Sequence, residues 1–587
     1  MSLSCNADNR LAGPVGTTPI QFVSPPTGPP VPDIGATSFL EPGPATVPGY
    51  LAIARAHADA ASESPTALAR LAQAELSAGE VDAAVSAATA VLDLARGEVD
   101  PSAEFAAVQV LRAGGAAEKA RDHIRDAPKT DEVGRSFRAR LAIECGDLDK
   151  ARLLVEDVTT FDGLFIGGWL AMRAAEYPRA IALFRQATRV AGPTPDVLTN
   201  AGYSYAALGH LQHAISATRQ AQALAPHKRM IAFNLVSFYL AVGDYAAATR
   251  ALAPLQQVFP DDVEIALALA HISLRASDRK GANKILQRAR TSKSWATAPL
   301  VRRAELEANL ALLRWFTGRH SLDAARKIVL DQLAVTDYES LPMASLLPAL
   351  LPRFSDRRLL GTLIGRLEAQ HDAKALLFLR VHDAILRRDA EAAVSLAVEW
   401  AQSEPFNPVA AGLAIQLLGD LAGDREKAIE LGRDAVTRAP GDSLLLNNLA
   451  YVLALSGKTR EARVVLGKVT TPDVSPAVIA TRGLIDLLSG DVSGGIAEYE
   501  RAGELAVEQG KERVAQLAAL NLDVALRRVD PDILNRLEIE VTPQFEIPSS
   551  SEDDPGIWLL ATRAEHDGVR VSLPETSGAD LPSPRRQ

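Results

Sequence analysis

The sequence predicts an all-α solenoid of stacked helix pairs. Three observations predict it. One pattern is written four times, starting at Phe161, Pro195, Arg229 and Val263, each copy 34 residues after the last. A fixed period of that length marks a repeat array, because one helical unit per period stacks on the next. The composition is rich in Ala, Leu and Arg while only 5% of residues are aromatic, which together with long helical patterns favours helices throughout. The chain has 587 residues, more than one globular core organises, so several domains or an elongated array are expected.

Residues 1–49 are rich in Pro, Gly, Ser and Thr and are densest at Pro25-Pro26-Thr27-Gly28-Pro29-Pro30-Val31-Pro32. Proline removes backbone donors and blocks helix, so a disordered, extended leader is expected, and a ligand for an aromatic-lined groove is the sharper alternative. Helical pattern begins near Tyr50. Weaker repeats start near Pro65 (markers Gly79, Ala84, Val91), near Pro101 (Gly115, Ala120, Ala127) and near Glu132 (Gly146, Ala151, Val158), and the four regular copies follow. Residues 297–372 keep helical periodicity but lose the register, with prolines at Pro342, Pro348 and Pro352. The register returns at about 373 with Ala392 in the second-helix column. Copies follow at 409 (Gly423, Ala428, Ala435, Pro440), 443 (Leu449, Tyr451, Gly457, Ala462) and 476 (Gly483, Gly490, Tyr499, Ala502). Residues 511–528 read as a last amphipathic helix capping the array. The expected organisation is a leader 1–49, an N-terminal array 50–296, an irregular connector 297–372, a C-terminal array 373–535 and a flexible tail 536–587. Within the tail, Ile557–Thr562 and the Val569–Leu573 alternation read as strands, or as a segment that orders on a partner.

The regular copies resemble the tetratricopeptide repeat column by column. The copy at 195 has Gly202 and Tyr205, Gly209 at the inter-helix turn, Ala214 and Ala221 in the second helix, and Pro226 at the exit. The copy at 229 gives Tyr239, Gly243, Ala248, Leu255 and Pro260. The copy at 161 gives Gly168, Ala180, Phe184 and Ala187, and the copy at 263 gives Ala270, Ala282, Leu286 and Ala289. Ala175 and Ser277 replace the turn glycine, and Ser294 replaces the exit proline. The turn glycine tolerates positive φ, the small residues let the two helices approach, and proline stops the second helix. The resemblance implies a right-handed superhelical solenoid with a partner-binding concave surface.

Composition and motifs exclude several classes. The net charge of −10 argues against a general nucleic-acid binder. Cys5 and Cys145 are the only cysteines, so no disulfide framework is expected and a reducing, cytoplasmic setting is the default. No run of apolar residues is long enough to span a membrane. The N-terminus lacks the charged and apolar regions of a signal peptide. Leu3-Ser4-Cys5 lacks the hydrophobic segment that lipidation needs. Gly457-Lys458-Thr459 resembles the end of a phosphate-binding loop, but Val452 stands where the first glycine is required, and the trio falls on an inter-helix turn. His210 and His213 have no Cys or acidic partner at metal-ligand spacing, so surface histidines are expected. No HExxH, CxxC or GxSxG occurs. No cofactor, no metal and no catalytic residue is expected.

Two surfaces remain as candidates. By register, the resemblance assigns Phe165, Trp169 and Met172, Thr199, Asn200 and Tyr203, Phe233, Asn234 and Ser237, Leu267, His271 and Arg275, and Asn447, Asn448 and Tyr451 to the concave face. Phe165, Thr199, Phe233 and Leu267 stand where carboxylate-clamp members of the family have Lys. A chaperone-tail receptor is therefore disfavoured, and an apolar or helical peptide is preferred. The plain alternative is that these rings pack between helices. The second surface is a basic strip between Arg275 and Lys327 that includes Arg288, Arg290, Arg302 and Arg303. It suits an acidic protein partner, with nucleic acid disfavoured and a solvated helix face as the plain alternative. The expected function is a non-catalytic adaptor or scaffold for protein or peptide partners. The alternatives are a peptide- or ligand-sensing regulatory solenoid and, behind it, an enzyme with an unrecognised site.

Overall fold

The computed structural model describes residues 50–78, 80–94, 101–126, 132–470, 475–509, 511–529, 531–537, 539, 541, 544–546 and 553–572. The Pro-rich leader, Gly79, Ala127 and the end of the tail lie outside the described residues. The chain divides into two compact units between Pro226 and His227, inside the array that the repeats predict.

In the first unit, a helix Tyr50–Ala60 precedes five helix pairs: Pro65–Ser77 with Val81–Leu94, Pro101–Ala113 with Ala117–Asp126, Glu132–Glu144 with Leu148–Val155, Phe161–Arg173 with Tyr177–Ala191, and Pro195–Ala207 with Leu211–Leu224. Each first helix starts where the repeat pattern places it. Thr160 and Thr194 cap two of them through bonds from Gly163 N and Val197 N, both 3.3 Å, filling donors that a helix end leaves orphaned. Phe161–Arg173 packs on its own partner and on the next first helix. Burial is therefore shared between neighbours, which no lone pair can achieve.

The second unit continues with Arg229–Val242 paired with Tyr245–Ala251 and Ala253–Val258, and Val263–Arg275 paired with Arg279–Arg290. The expected connector is more regular than its sequence suggests. It opens with a full helix pair, Leu300–Phe316 and Leu322–Val335, and only then breaks into Leu341–Ala344, Leu347–Leu350 and Arg357–Leu367. Further pairs follow: Leu377–Leu386 with Ala390–Ser403, Pro408–Asp420 with Arg425–Arg438, Ser443–Leu455 with Thr459–Leu466, and Pro476–Leu488 with Val492–Glu508. Glu512–Leu526 is the last array helix. In the pair at 377 the buried small residue is Ala393, one place after the expected Ala392, which is half-buried.

This unit also closes on itself. The turn at 439–442 rests on the end of helix Arg229–Val242, where Gly441 N donates to Ala241 O at 2.8 Å. A Cβ on Gly441 would lie 2.4 Å from the Val242 carbonyl carbon, so no side chain fits the seam. Beside it, Asp442 accepts from Leu444 N and Leu445 N at 3.0 Å as a helix cap and pairs with Arg275 at 2.5 Å.

In the tail the expectation of strands fails for the first run and holds for the second. Ile557–Thr562 lies within a helix, Pro555–His566, and Arg570–Ser572 pairs in parallel with Gln544–Glu546, matching Phe545 to Val571. Asp554 caps the helix by accepting from Gly556 N at 2.8 Å, and Pro555 occupies its first turn. The segment is too short to build a core of its own and orders by burying itself against the array.

Two predictions follow from backbone and burial. The turn positions Gly209 and Gly243 have φ of 75° and 80°, while Ala175 and Ser277 hold the same left-handed conformation at 60° and 64°. A Cβ there costs about 1–2 kcal/mol, partly offset by the freer unfolded chain of a glycine variant. Ala175→Gly and Ser277→Gly should each raise the thermal midpoint, gaining about 0.5–1 kcal/mol; an unchanged or lower midpoint would contradict the turn assignment. The second concerns His382, which is buried and bonded through Nε2 to Leu351 O at 2.8 Å. Burial pushes its pKa down to about 4, against the pull of that carbonyl. The unfolded imidazole binds a proton near pH 6.5 and the folded one does not. Stability is therefore retained above pH 6.5 and lost as pH falls toward 4. Urea titrations at pH 7 and pH 5 should show about 2 kcal/mol of loss from this residue, and His382→Gln should reduce that loss.

Candidate functional site

The structure puts most of the expected concave-face residues inside the packing. Phe165, Trp169, Met172 and Tyr203 in the first unit, and Phe233 in the second, are at most 8% exposed. Phe165 stands 6.1 Å from the Phe184 ring of the paired helix, and burial raises the Tyr203 hydroxyl pKa well above its ordinary value. These rings fill the space between helices and do not form an open apolar surface, because first-helix positions face the neighbouring pair as well as the concave side. Asn200 is fully buried and donates to Asp196 O at 2.7 Å. Asn234 is fully buried, and its amide meets no hydrogen-bonding group among the described residues. His271 is half-buried; burial and then the Arg275 guanidinium push its pKa down to about 3, which keeps it neutral. Asn448 donates to Gly412 O at 2.9 Å, tying two first helices together.

The basic strip is neutralised in part. Arg290 pairs with Glu307 at 2.6 Å, and Arg302 pairs with Glu264 at 2.9 Å and Glu305 at 2.8 Å. Arg303 is half-buried, and Arg288 is exposed on the helix Arg279–Arg290. The strip therefore combines two inter-helix ion pairs, Arg290–Glu307 and Arg302–Glu264, with an exposed edge that includes Arg279, Lys280, Lys284 and Arg288. His210 and His213 are exposed, with the His213 ring stacked on Tyr205 at 5.3 Å. Gly457 holds a turn at φ 76°, and Lys458 pairs with Glu426 at 2.7 Å. Cys145 is a buried thiol whose pKa burial raises to about 11.

Tyr451 is the expected residue that another segment reaches. The helix Pro555–His566 lies against Pro408–Asp420 and Glu512–Leu526. Ile557, Leu560, Ala561 and Ala564 pack with Leu517 and Val524 of the last array helix. Leu559 packs with Leu417 and Leu421, and Trp558 meets Phe354 edge-on at 6.3 Å. Eight of the twelve residues of this helix are buried, as in a helix gripped on more than one side.

Polar groups fix its position. Arg563 is 3% exposed, donates to the Tyr451 hydroxyl and to Asn521 Oδ1 at 2.8 Å, and lies over the Tyr451 ring at 5.7 Å. Tyr451 donates in turn to Asp420 Oδ1 at 3.0 Å, and Asp420 is 4% exposed. Burial raises the Tyr451 hydroxyl pKa far above its ordinary value against the pull of Arg563, so the phenol keeps the proton it donates. Burial also raises the Asp420 carboxyl, opposed by Arg563 and by the Tyr451 bond. At the helix start Asp554 pairs with Arg513, and past its end Asp567 pairs with Arg425 and, at 3.4 Å, with Arg528. Both of those arginines also donate to Leu455 O, at 3.2 and 2.9 Å. His566 Nε2 bonds Leu421 O at 2.9 Å, and Asp553 accepts from Ser355 N at 2.8 Å. Asp420, Arg425, Arg513, Asn521 and Arg528 were not anticipated from the sequence. Their partners lie far along the chain, and a charged residue on a helix reads as a solvated face.

With this geometry in place, known proteins supply a comparison. No protein-family model matches the sequence, and no curated protein does either. Among solved structures, the APC/C hetero-tetramer of Cut9 and Hcn1 matches with a TM-score of 0.50 at 15% identity, covering 81% of this chain and 88% of that one. The helix pairs, their starts and their buried small-residue column agree with that likeness. The chain has the tetratricopeptide-repeat fold. Yeast Tom70 (TM-score 0.30, 13% identity, 69% of this chain and 99% of that one) and Pseudomonas aeruginosa pilF (0.24, 14%, 42% and 92%) are more distant likenesses. Among the described residues no helix is long and apolar enough to cross a membrane, and no group of three or more His, Cys, Asp or Glu residues is placed to hold a metal ion.

The two buried charges, linked through the Tyr451 hydroxyl, can be tested together. Arg563→Met strands the Asp420 carboxylate and should loosen the tail helix by roughly 3–5 kcal/mol. Adding Asp420→Asn should recover part of that loss. Amide hydrogen exchange across 555–566 reads both, and an unchanged exchange rate in Arg563→Met would contradict the pairing.

Proposed function

We propose that this tetratricopeptide-repeat protein is a non-catalytic scaffold that holds partner proteins by helical segments on the first-helix face of its arrays. One observation carries the reading: a helix, Pro555–His566, already lies against the first helix Pro408–Asp420 and the array helix Glu512–Leu526, engaged by Asp420, Tyr451 and Asn521. A surface that buries a helix and supplies fixed partners for its arginine has the makings of helix-in-groove recognition. Buried Arg and aromatic anchors of this kind dominate binding energy where they occur.

The test is site-resolved. The full chain, carrying a photo-crosslinking residue in turn at half-buried first-helix positions such as Leu198, Tyr239 and Leu413, is expressed in its native host. Identified partners should cross-link there and not from exposed second-helix positions such as Arg219 or Lys284. Reproducible cross-links confined to the second helices, or none from the first, would overturn the reading.

A further inference from the structure

We propose that Pro555–His566 is an intramolecular stand-in for a ligand, and that the ligand is a partner-protein helix bearing an acid, an arginine and a second acid at the spacing of Asp554, Arg563 and Asp567. The proposal rests on the scaffold reading and adds the chemistry of the partner.

The groove itself prescribes that chemistry. Its charged groups form three stations in a row. Arg513 meets the acid at the helix start, Asn521 and the Asp420-backed Tyr451 hydroxyl meet the arginine, and Arg425 with Arg528 meets the acid beyond the helix end. Asp420 is 4% exposed, and the hydroxyl of the half-buried Tyr451 donates to it. An occupant lacking the arginine leaves that carboxylate desolvated without a cation, and one lacking the acids leaves Arg513 or the Arg425–Arg528 pair short of a partner. Stranding a buried charge costs more than an added apolar contact returns, so the stations select by penalty as well as by attraction. Between the stations the walls are apolar: Leu417 and Leu421 on one side, Leu517 and Val524 on the other. A helix with one apolar stripe and these three charges fits.

The present occupant is suited to exchange. It comes after the last array helix, and the array helices it touches also pack directly on their own neighbours. Its far end is fastened by a two-stranded pair of three residues each, Gln544–Glu546 with Arg570–Ser572. Tethering gives it an effective concentration on the order of millimolar. A free helix of equal intrinsic affinity is therefore held off until the tether is cut, or until it arrives with a second contact elsewhere on the array.

The experiment uses the full chain with a protease site placed within 547–552, cut after purification. The probe is a fluorescent peptide of residues Asp553–Ser572. It should enter the cut protein and bind the uncut protein at least tenfold more weakly. Unlabelled peptide should compete, and peptides carrying Arg563→Ala or Asp567→Ala should compete at least tenfold less well. An unrelated amphipathic helix given only the acid, arginine and acid at the same spacing should also compete, and its version with the arginine moved by two positions should not. A peptide that never enters the cut protein, or an Arg563→Ala peptide competing as well as the parent, would overturn the proposal. A dimer of the uncut chain that exchanges tails would also overturn it, by assigning the groove to a second copy. None of these results depends on the native partner. Cross-links on other first helices would leave the scaffold reading standing even if this proposal fell.

Discussion

The close approach of the two helices in each pair is the constraint from which the rest of the structure follows. It is met at one column, the fourth residue of the second helix: Ala84, Ala120, Ala151, Ala180, Ala214, Ala248, Ala282, Ala325, Ala393, Ala428 and Ala462 are all 0% exposed. In the pair at 476 the position is Gly495, where a Cβ would lie 2.8 Å from Gly483 O. A larger side chain at any of these places would push the second helix off the first, and overpacking of this kind costs about 1–3 kcal/mol. Held this closely, the first helices present their remaining side chains to neighbouring pairs, and the stack grows by repetition.

The same column explains what was legible. Where the period is regular, a residue pattern of short range fixes the helix starts, and Phe161, Pro195, Arg229 and Val263 open helices as read. The connector loses the fixed period because its first pair has a 17-residue first helix and a longer turn, while the local rule survives at Ala325. Ala175 and Ser277 show the complementary case. The turn demands a positive φ, and the chain supplies it without the residue that makes it easy. An array built of such weak columns carries little that a family model can recognise, yet the backbone geometry remains plain.

The site was far less legible. Tyr451 was reached through the repeat column, but its partners Asp420 and Arg563 were not, since no periodicity links residues paired across such sequence distances. Phe165, Trp169 and Phe233 occupy columns that the resemblance assigns to the concave face, and their burial is that of rings packed between helices, the plain alternative for these positions. A column can tell that a side chain leaves the helix toward the concave side, but not whether a neighbouring pair covers it. The tail was missed because it was judged alone. The Asp554-Pro555-Gly556 start is a helix cap, and the apolar run behind it needed a surface that the segment itself does not contain.

That dependence bears on function. A tail stabilised only by apolar contact would tolerate many substitutes, because hydrophobic burial is non-directional. This one is held by an arginine that is 3% exposed and by two aspartates, of which the Asp567 side chain is 1% exposed, an arrangement that apolar residues of similar volume would often match or exceed in stability. Charges placed so return selectivity in exchange for strength. On the reading proposed above they make the groove reject helices that lack the pattern, which serves a surface that must discriminate between occupants and serves a permanent strut very little. The two requirements separate at Asp420 and Arg563, which share the Tyr451 hydroxyl. A strut is indifferent to replacing both residues by apolar ones, whereas a groove that chooses its helix needs them as they are.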